Sequence, residues 1–203
     1  MGGLMIRTFF VVLFSAFVVG CTTLPTSAEW TARADGYFKD GKTDKAIKAY
    51  NKAIVMNPDN LEAYASRGAA HYVDGNFDLA IKDFRYVLQA NPYYADAYTA
   101  YGSVLAARRD YRNALEVLNM AIQMNPSKPE NYFSRGGVYV MLKQYEKAVA
   151  DYTAVLKLYP AAEVYNARAL AYTQWGKKEL AAKDLEAAQG RIPATLSVYS
   201  QLK

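Results

Sequence analysis

Apolar and polar residues follow one another along most of the chain at the spacing of helices that bury a single face. From residue 27 onward the apolar runs are short, and proline or glycine interrupts them at regular intervals. This pattern predicts pairs of short amphipathic helices, each pair joined by a tight turn. No stretch has the two-residue alternation of a half-buried strand, so we expect an all-α fold.

A spacing of 34 residues is the strongest feature of this pattern. Prolines stand at 58, 92, 126 and 160, and Pro193 follows after 33 residues. A tyrosine comes five or six residues after each of these prolines. One helix pair of this length cannot cover its own apolar face, so we expect the units to stack on one another.

The residues that recur in phase resemble those of the tetratricopeptide repeat, or TPR. That repeat has an aromatic residue at position 4, a small one at 8, tyrosine at 11, alanine at 20, an aromatic at 24 and proline at 32. The first unit fills these positions with Trp30, Ala34, Tyr37, Ala46, Tyr50 and Pro58. The resemblance implies a right-handed α-α superhelix, a TPR solenoid, of five repeats. We place the repeats at 27–60, 61–94, 95–128, 129–161 and 162–195, with a short C-terminal capping helix at 196–203.

Arginine at position 7 and aspartate at position 23 occur together in three of the repeats, and the third repeat has neither. The pairs are Arg67 with Asp83, Arg135 with Asp151, and Arg168 with Asp184. We expect an ion pair between the two helices of each of these units, which fixes their register and has no catalytic role.

Small residues mark where the helices of a pair meet and turn. Gly41, Gly75 and Gly176 stand at position 15, where the first helix is expected to stop. Alanine at position 20, Ala148 among them, is expected to let the two backbones approach closely, because a larger side chain there would force them apart.

Composition narrows the possible functions. The net charge of +5 is spread along the chain without a dense basic block, so we expect no nucleic-acid partner. One cysteine and one histidine provide neither an internal disulfide nor a His/Cys metal cluster, and we predict no metal and no cofactor. His71 occupies a position where other repeats have tyrosine, so we interpret it as a packed histidine. No motif indicates an enzyme.

The N-terminal residues have the pattern of an export signal. Residues 8–19 are apolar, Arg7 precedes them, and no acidic residue occurs before Glu29. As a helix this stretch would extend about 18 Å, against about 30 Å for the hydrocarbon core of a membrane, so cleavage is the better interpretation. Whether translation starts at Met1 or Met5 stays open.

The end of this stretch, Val18-Val19-Gly20-Cys21, resembles the lipobox of bacterial lipoproteins. The resemblance implies a signal peptide at 1–20, acylation of Cys21 with chains such as palmitate, and a lipidated tether at 21–28. Two or more acyl chains anchor a protein stably. Because Thr22 and not aspartate follows the cysteine, the resemblance implies the periplasmic leaflet of the outer membrane.

The TPR resemblance also implies that partners contact positions 2, 5, 9, 12 and 13 of the first helices, which form a concave groove. The groove residues expected from repeats two to five are Ala65, Ala69, Tyr72, Val73, Thr99, Ser103, Ala106, Ala107, Phe133, Gly137, Val140, Met141, Asn166, Leu170 and Thr173. An acidic row at position 2 consists of Glu62, Asp96, Glu130 and Glu163. An apolar segment with a basic flank would complement this wall.

These features together predict a non-catalytic, membrane-anchored scaffold of the bacterial envelope that binds a partner peptide or helix. It resembles TPR lipoproteins that act in secretin or pilus biogenesis or that recruit peptidoglycan enzymes. Two alternatives stay open: a glycan- or peptidoglycan-binding protein that uses some of its 18 tyrosines, and a self-associating structural lipoprotein. The oligomeric state is not predicted.

Overall fold

A computed structural model of the chain describes residues 24–190. Within this range the chain forms ten α-helices and no strands, so the predicted all-α fold is confirmed. The helices are α1 (Ser27–Lys39), α2 (Thr43–Met56), α3 (Leu61–Val73), α4 (Phe77–Ala90), α5 (Ala95–Ala107), α6 (Tyr111–Met124), α7 (Pro129–Met141), α8 (Tyr145–Leu158), α9 (Ala162–Gln174) and α10 (Lys178–Gln189). The predicted signal peptide, Cys21 and the capping helix at 196–203 lie outside the described residues.

The helices form a stack in which each one packs on its neighbours in sequence. First helices of adjacent repeats also contact each other directly, as α5 does α7. Second helices of adjacent repeats make no such contact in the described part of the chain. Because the first helices are crowded together and the second helices are spread apart, the stack curves with the first helices on its inner wall. This is the α-α solenoid that the TPR resemblance implies.

Small residues permit the close packing within each helix pair. The alanines at position 20, from Ala46 to Ala181, are at most 4% exposed. A Cβ atom added at Gly102 would lie 2.6 Å from Cγ of Leu118, and one added at Gly136 would lie 2.8 Å from Cε1 of Tyr152. The space that a methyl group would need is therefore already filled by the second helix.

The turn between the two helices has the same geometry in each described repeat. At position 15 the backbone has positive φ, with values of 73°, 77° and 79° at Gly41, Gly75 and Gly176. The next residue closes the turn by donating its backbone N–H to a carbonyl five residues earlier, as Lys42 does to Tyr37 at 2.8 Å. Arg109 and Lys143 adopt the same left-handed conformation without being glycine, at φ 67° and 58°.

The predicted arginine–aspartate pairs are present, and each is bidentate. Arg135 donates from Nε and Nη2 to the two carboxylate oxygens of Asp151, at 2.8 and 2.7 Å. The hydrogen bond to this carboxylate raises the pKa of the guanidinium further above its usual value. The same geometry joins Arg67 to Asp83 and Arg168 to Asp184.

Each of these arginines also bonds to the preceding repeat, which the sequence did not predict. Nη1 of Arg67 donates to Oδ1 of Asn51 at 2.6 Å, and Nη1 of Arg135 donates to Oδ1 of Asn119 at 2.8 Å. Arg168 makes the corresponding bond to Oγ1 of Thr153 at 2.8 Å. One side chain therefore joins the two helices of its own unit and holds the neighbouring unit as well.

The stack begins within the last residues of the predicted tether. Thr26 caps α1, because its Oγ1 accepts the N–H of Glu29 at 3.2 Å while the Glu29 carboxylate accepts the N–H of Thr26 at 2.7 Å. The first helix thus starts at Ser27, within the range that we predicted as tether. Of the helices at 24–190, none has both the length and the apolar character needed to cross a membrane.

Candidate partner-binding groove

Most of the large apolar side chains predicted for the groove are exposed on the first helices. Tyr72 and Val73 lie at the end of α3, Met141 at the end of α7, and Leu170 on α9. Each of them is more than a third exposed. Large apolar side chains such as Val55 and Leu158 are also exposed on the second helices, so what distinguishes those of the first helices is their place on the inner wall of the curved stack.

Polar and small side chains form the middle of the wall. Oγ1 of Thr99 donates to Oδ1 of Asn131 at 2.5 Å, and the hydroxyls of Ser103 and Ser134 lie 3.3 Å apart. Asn131 is itself held by its Nδ2, which donates to the backbone carbonyls of Ala121 and Asn125 at 3.0 Å each. Thr99 and Ser103 therefore join α5 to α7, and they are only half exposed to a partner.

Several predicted groove residues are engaged in packing. Val140 is only 8% exposed and lies in a core cluster with Ala148 and Tyr152, so its prediction as a surface residue is wrong. The cluster also contains Val164 and Ala171 of α9, so Val140 packs together with the second helix of its own repeat and the first helix of the next. Ala65 and Ala69 are half-buried against the core cluster that contains Phe84. Because their side chains are small, they project little from this part of the wall.

The other predicted positions also lie on the first helices. Ala106 and Gly137 are half-buried, whereas Ala107, Asn166 and Thr173 are exposed. The partner-binding role of all these residues stays a prediction.

A cavity of about 220 Å³ opens between α7, α8 and α9. We call it the α7–α9 pocket. Its lining includes Glu130 and Phe133 from α7, Val155 and Tyr159 at the end of α8, and Glu163 and Val164 from α9. Of these six residues, the predicted groove set contains Phe133, and the acidic row contains Glu130 and Glu163.

Phe133 is held in place by the second helix of its repeat. Its ring centroid lies 5.6 Å from that of Tyr152 at an interplanar angle of 56°, a tilted arrangement that is favourable for aromatic pairs. Burial, and to a smaller extent the Asp151 carboxylate, raises the pKa of Tyr152 to about 12. The tyrosine under Phe133 therefore stays neutral at physiological pH.

The acidic row lies in the first turns of α3, α5, α7 and α9, where the helix dipole favours carboxylates. Asp96 forms a salt bridge with Lys128. Glu62, Glu130 and Glu163 form none with the residues that the structure describes. These three carboxylates remain available to a basic partner.

His71 lies in α3, half-buried, and its Nδ1 has no hydrogen-bond partner. Burial lowers the pKa of the imidazole; Asp83 partly opposes this shift and Arg67 adds to it. The ring is therefore neutral at pH 7. Over residues 24–190 no group of three His, Cys, Asp or Glu side chains is placed to hold a metal ion.

Family models match almost the whole described stack. One described as a TPR repeat matches residues 34–75, and three described as tetratricopeptide repeats match 70–129, 102–167 and 162–195. Together they cover the chain from residue 34 to 195 without a gap. A comparison with curated proteins finds no match.

Several solved structures have a similar fold, and in three of them the match covers most of the other protein's length. The crystal structure of MamA is 26% identical with a TM-score of 0.68, over 78% of this chain and 93% of that one. TTC0263, a thermophilic TPR protein from Thermus thermophilus, is 22% identical with a TM-score of 0.74, over 87% and 96%. YrrB, described as a TPR protein with an unusual peptide-binding site, is 21% identical with a TM-score of 0.64, over 87% and 92%.

Proposed function

This chain belongs to the tetratricopeptide repeat family, and on that premise we propose that it is a non-catalytic scaffold that binds a peptide or helix of a partner protein in its concave groove. The family and the fold are those of protein–protein interaction modules. The observation that carries the proposal is the inner wall of first helices, with large apolar side chains exposed at Tyr72, Val73, Met141 and Leu170.

The wall suits an extended or helical segment better than a compact ligand. Its middle is shallow because Ala65, Ala69, Thr99 and Ser103 are small, so a partner backbone can approach closely there. Apolar side chains of the partner would then contact Tyr72 at one end and Met141 towards the other. The acidic row along one edge favours a segment with a basic flank and fixes its direction.

A binding test follows from this arrangement. Tyr72→Glu and Met141→Glu place charges on the wall, and we expect both variants to lose partners that the wild-type chain captures from an envelope extract. Val55→Glu is the matched control, because Val55 is an equally apolar and highly exposed side chain on the second helix α2. Equal recovery of every partner by all four proteins would contradict a role for the groove.

We also propose that the protein is exported and anchored by acyl chains on Cys21, and that it works in assembly of an envelope complex such as a secretin or pilus, or in recruitment of a peptidoglycan enzyme. The support is the apolar segment 8–19 followed by the lipobox-like Val18-Val19-Gly20-Cys21. Since α1 begins at Ser27, only five residues separate the anchor from the folded stack. The groove would then lie close to its membrane.

Labelling with a palmitate analogue tests the anchor. We expect the wild-type chain to incorporate the label and Cys21→Ala to lose it. An unlabelled wild-type chain, or label that persists in Cys21→Ala, would contradict lipidation at this residue.

The alternative of glycan binding receives less support from the geometry. The tyrosines at positions 4 and 11 lie beside the arginines of the ion pairs: the guanidinium of Arg135 is 5.6 and 5.7 Å from the ring centroids of Tyr132 and Tyr139. Arg168 stands at 5.8 Å from both Tyr165 and Tyr172. Ring faces that are occupied by arginine are not free to stack on sugars.

A further inference from the structure

The α7–α9 pocket is formed where the fourth repeat departs from the pattern of the other repeats. At position 5 the chain has Thr31, Ala65, Thr99 and Asn166, but Phe133 in the fourth repeat. At position 31 the first three repeats have Asn57, Asn91 and Asn125, but the fourth has Tyr159. Both departures replace a small or polar residue by an aromatic one, and both side chains line the same cavity.

The asparagines at position 31 have a structural role that Tyr159 does not share. Oδ1 of Asn57 accepts the N–H of Asp59 at 3.1 Å, and Oδ1 of Asn91 accepts the N–H of Tyr93 at 3.0 Å. These bonds hold the loop that leads to the next repeat. In the fourth repeat the loop is one residue shorter, and the Tyr159 side chain is 55% exposed. Loop stability therefore does not explain the tyrosine.

The pocket has an apolar interior and an acidic rim. Phe133 and Tyr159 provide the exposed apolar surface, Val155 and Val164 line the cavity but are almost completely buried, and the Phe133 ring is oriented by its contact with Tyr152. Two carboxylates from the acidic row, Glu130 and Glu163, also line the cavity, and no basic side chain does. A ligand that is apolar at its tip and positively charged next to it complements both features.

We propose that the α7–α9 pocket is the specificity site of the groove and takes one large apolar side chain of the partner segment, while Glu130 and Glu163 pair with a lysine or arginine next to that side chain. The inference rests on the proposed function and deepens it, because it states which residue pair the partner must carry. The remaining wall, from Tyr72 to Met141, then contributes contacts that are less selective.

A random 12-residue peptide library displayed on phage and selected on the purified full chain tests this site. Selected peptides are synthesised, and their dissociation constants are measured by fluorescence anisotropy. We expect them to share a leucine-, methionine- or aromatic-type residue beside lysine or arginine. Phe133→Thr and Tyr159→Asn introduce the residues that other repeats of this chain have at positions 5 and 31. We expect each substitution to weaken binding by on the order of tenfold or more.

Matched controls separate the pocket from general effects. Tyr93→Asn removes a tyrosine that is 84% exposed in another loop, and we expect it to leave affinity unchanged. Glu130→Gln and Glu163→Gln are each expected to weaken binding about threefold, and only for peptides that keep the basic residue. Glu116→Gln is the control, because Glu116 is an exposed carboxylate on the second helix α6 and lies outside the acidic row. Phe133→Thr also removes the contact with Tyr152 and can therefore destabilise the fold. Tyr159→Asn removes no such contact, so it is the cleaner test of the pocket.

The possible results separate failure of the pocket proposal from failure of the groove-binding function. Peptides that lack the apolar–basic pair, or that bind Phe133→Thr and Tyr159→Asn normally but fail to bind Tyr72→Glu and Met141→Glu, would overturn the pocket and leave the groove in place. No selected peptide, or peptides insensitive to all of these variants, would overturn both.

Discussion

Among single residues, Arg109 and Lys143 carry the clearest local strain. Both occupy the left-handed turn position that three other repeats fill with glycine, at φ 67° and 58°. A side chain in this conformation costs on the order of 1 kcal/mol, because its Cβ approaches the following carbonyl oxygen. The sequence predicted the turn from the glycines, but it did not predict that two repeats keep the same turn without one.

We expect Arg109→Gly and Lys143→Gly each to raise the free energy of unfolding by about 0.5–1 kcal/mol, because glycine relieves this strain. Urea titration monitored by circular dichroism measures the change. Arg112→Gly, three residues further on in α6, is the control and should be destabilising by up to about 1 kcal/mol. Unchanged or lower stability of both turn variants would contradict the assignment of strain.

His71 gives the stack a dependence on pH. Its folded-state pKa is lowered, first by burial and then by Arg67, with Asp83 acting in the opposite direction. The unfolded chain therefore binds the proton more readily, so stability is fully present above the ordinary histidine pKa of 6.5 and falls as the pH is lowered through it. His71→Tyr removes this pH-dependent contribution to stability, and it also removes the unpartnered Nδ1.

Unfolding measured from pH 5 to 8 should show a wild-type stability that declines below about pH 6.5 more steeply than that of His71→Tyr. The reciprocal change at the same position of the fourth repeat, Tyr139→His, should introduce the decline. Parallel curves for all three proteins would contradict a buried neutral histidine.

Between elements, the arginine at position 7 joins three helices. The carboxylate of Asp151 is almost completely buried, and Arg135 is its bidentate partner as well as the donor to Asn119 in the preceding repeat. The ion pair was predictable, because arginine and aspartate are present or absent together in four of the five repeats, the first being the exception. The bond to the preceding repeat was not, since asparagine and threonine at position 25 are ordinary surface residues in the sequence alone.

Arg135→Leu leaves a buried carboxylate without a counter-charge, and we expect it to lower the free energy of unfolding by about 3–5 kcal/mol. Arg135→Leu combined with Asp151→Leu should recover most of this loss, because the unpaired charge is gone. Arg33→Leu is the matched control: Arg33 has the same repeat position, but Ala49 stands where its aspartate would be. We expect a change of less than about 1 kcal/mol for it, and equal losses at both arginines would contradict the account.

Close contact between α5 and α6 depends on a missing side chain. We expect Gly102→Ala to lower the free energy of unfolding by about 1–3 kcal/mol, because its Cβ would lie 2.6 Å from Cγ of the fully buried Leu118. Gly36→Ala is the control, since an added Cβ there meets nothing within 4 Å inside helix α1. Alanine should stabilise that site by up to about 1 kcal/mol. Thermal unfolding of the two variants measures the contrast, and changes of the same sign would contradict it.

Over the whole molecule, the sequence predicted the stack far better than the binding site. Core positions are visible because every unit must fill the same small spaces, so Ala148 and Gly136 recur in phase. A binding site arises where one unit differs from the others, as Tyr159 does, and periodicity alone does not assign a role to a difference. Val140 was misplaced for a related reason: its repeat position is a groove position, but in this repeat the side chain is covered by a core cluster with residues of α8 and α9.

The stack as a whole separates two surfaces, an inner wall of first helices and an outer wall of second helices. We propose that partners use the inner wall. Hydrogen exchange of the full chain, measured with and without a saturating selected peptide, tests this claim most directly because it reports on every helix at once. We expect added protection in α3, α5, α7 and α9; protection confined to α4, α6 and α8 would contradict the account.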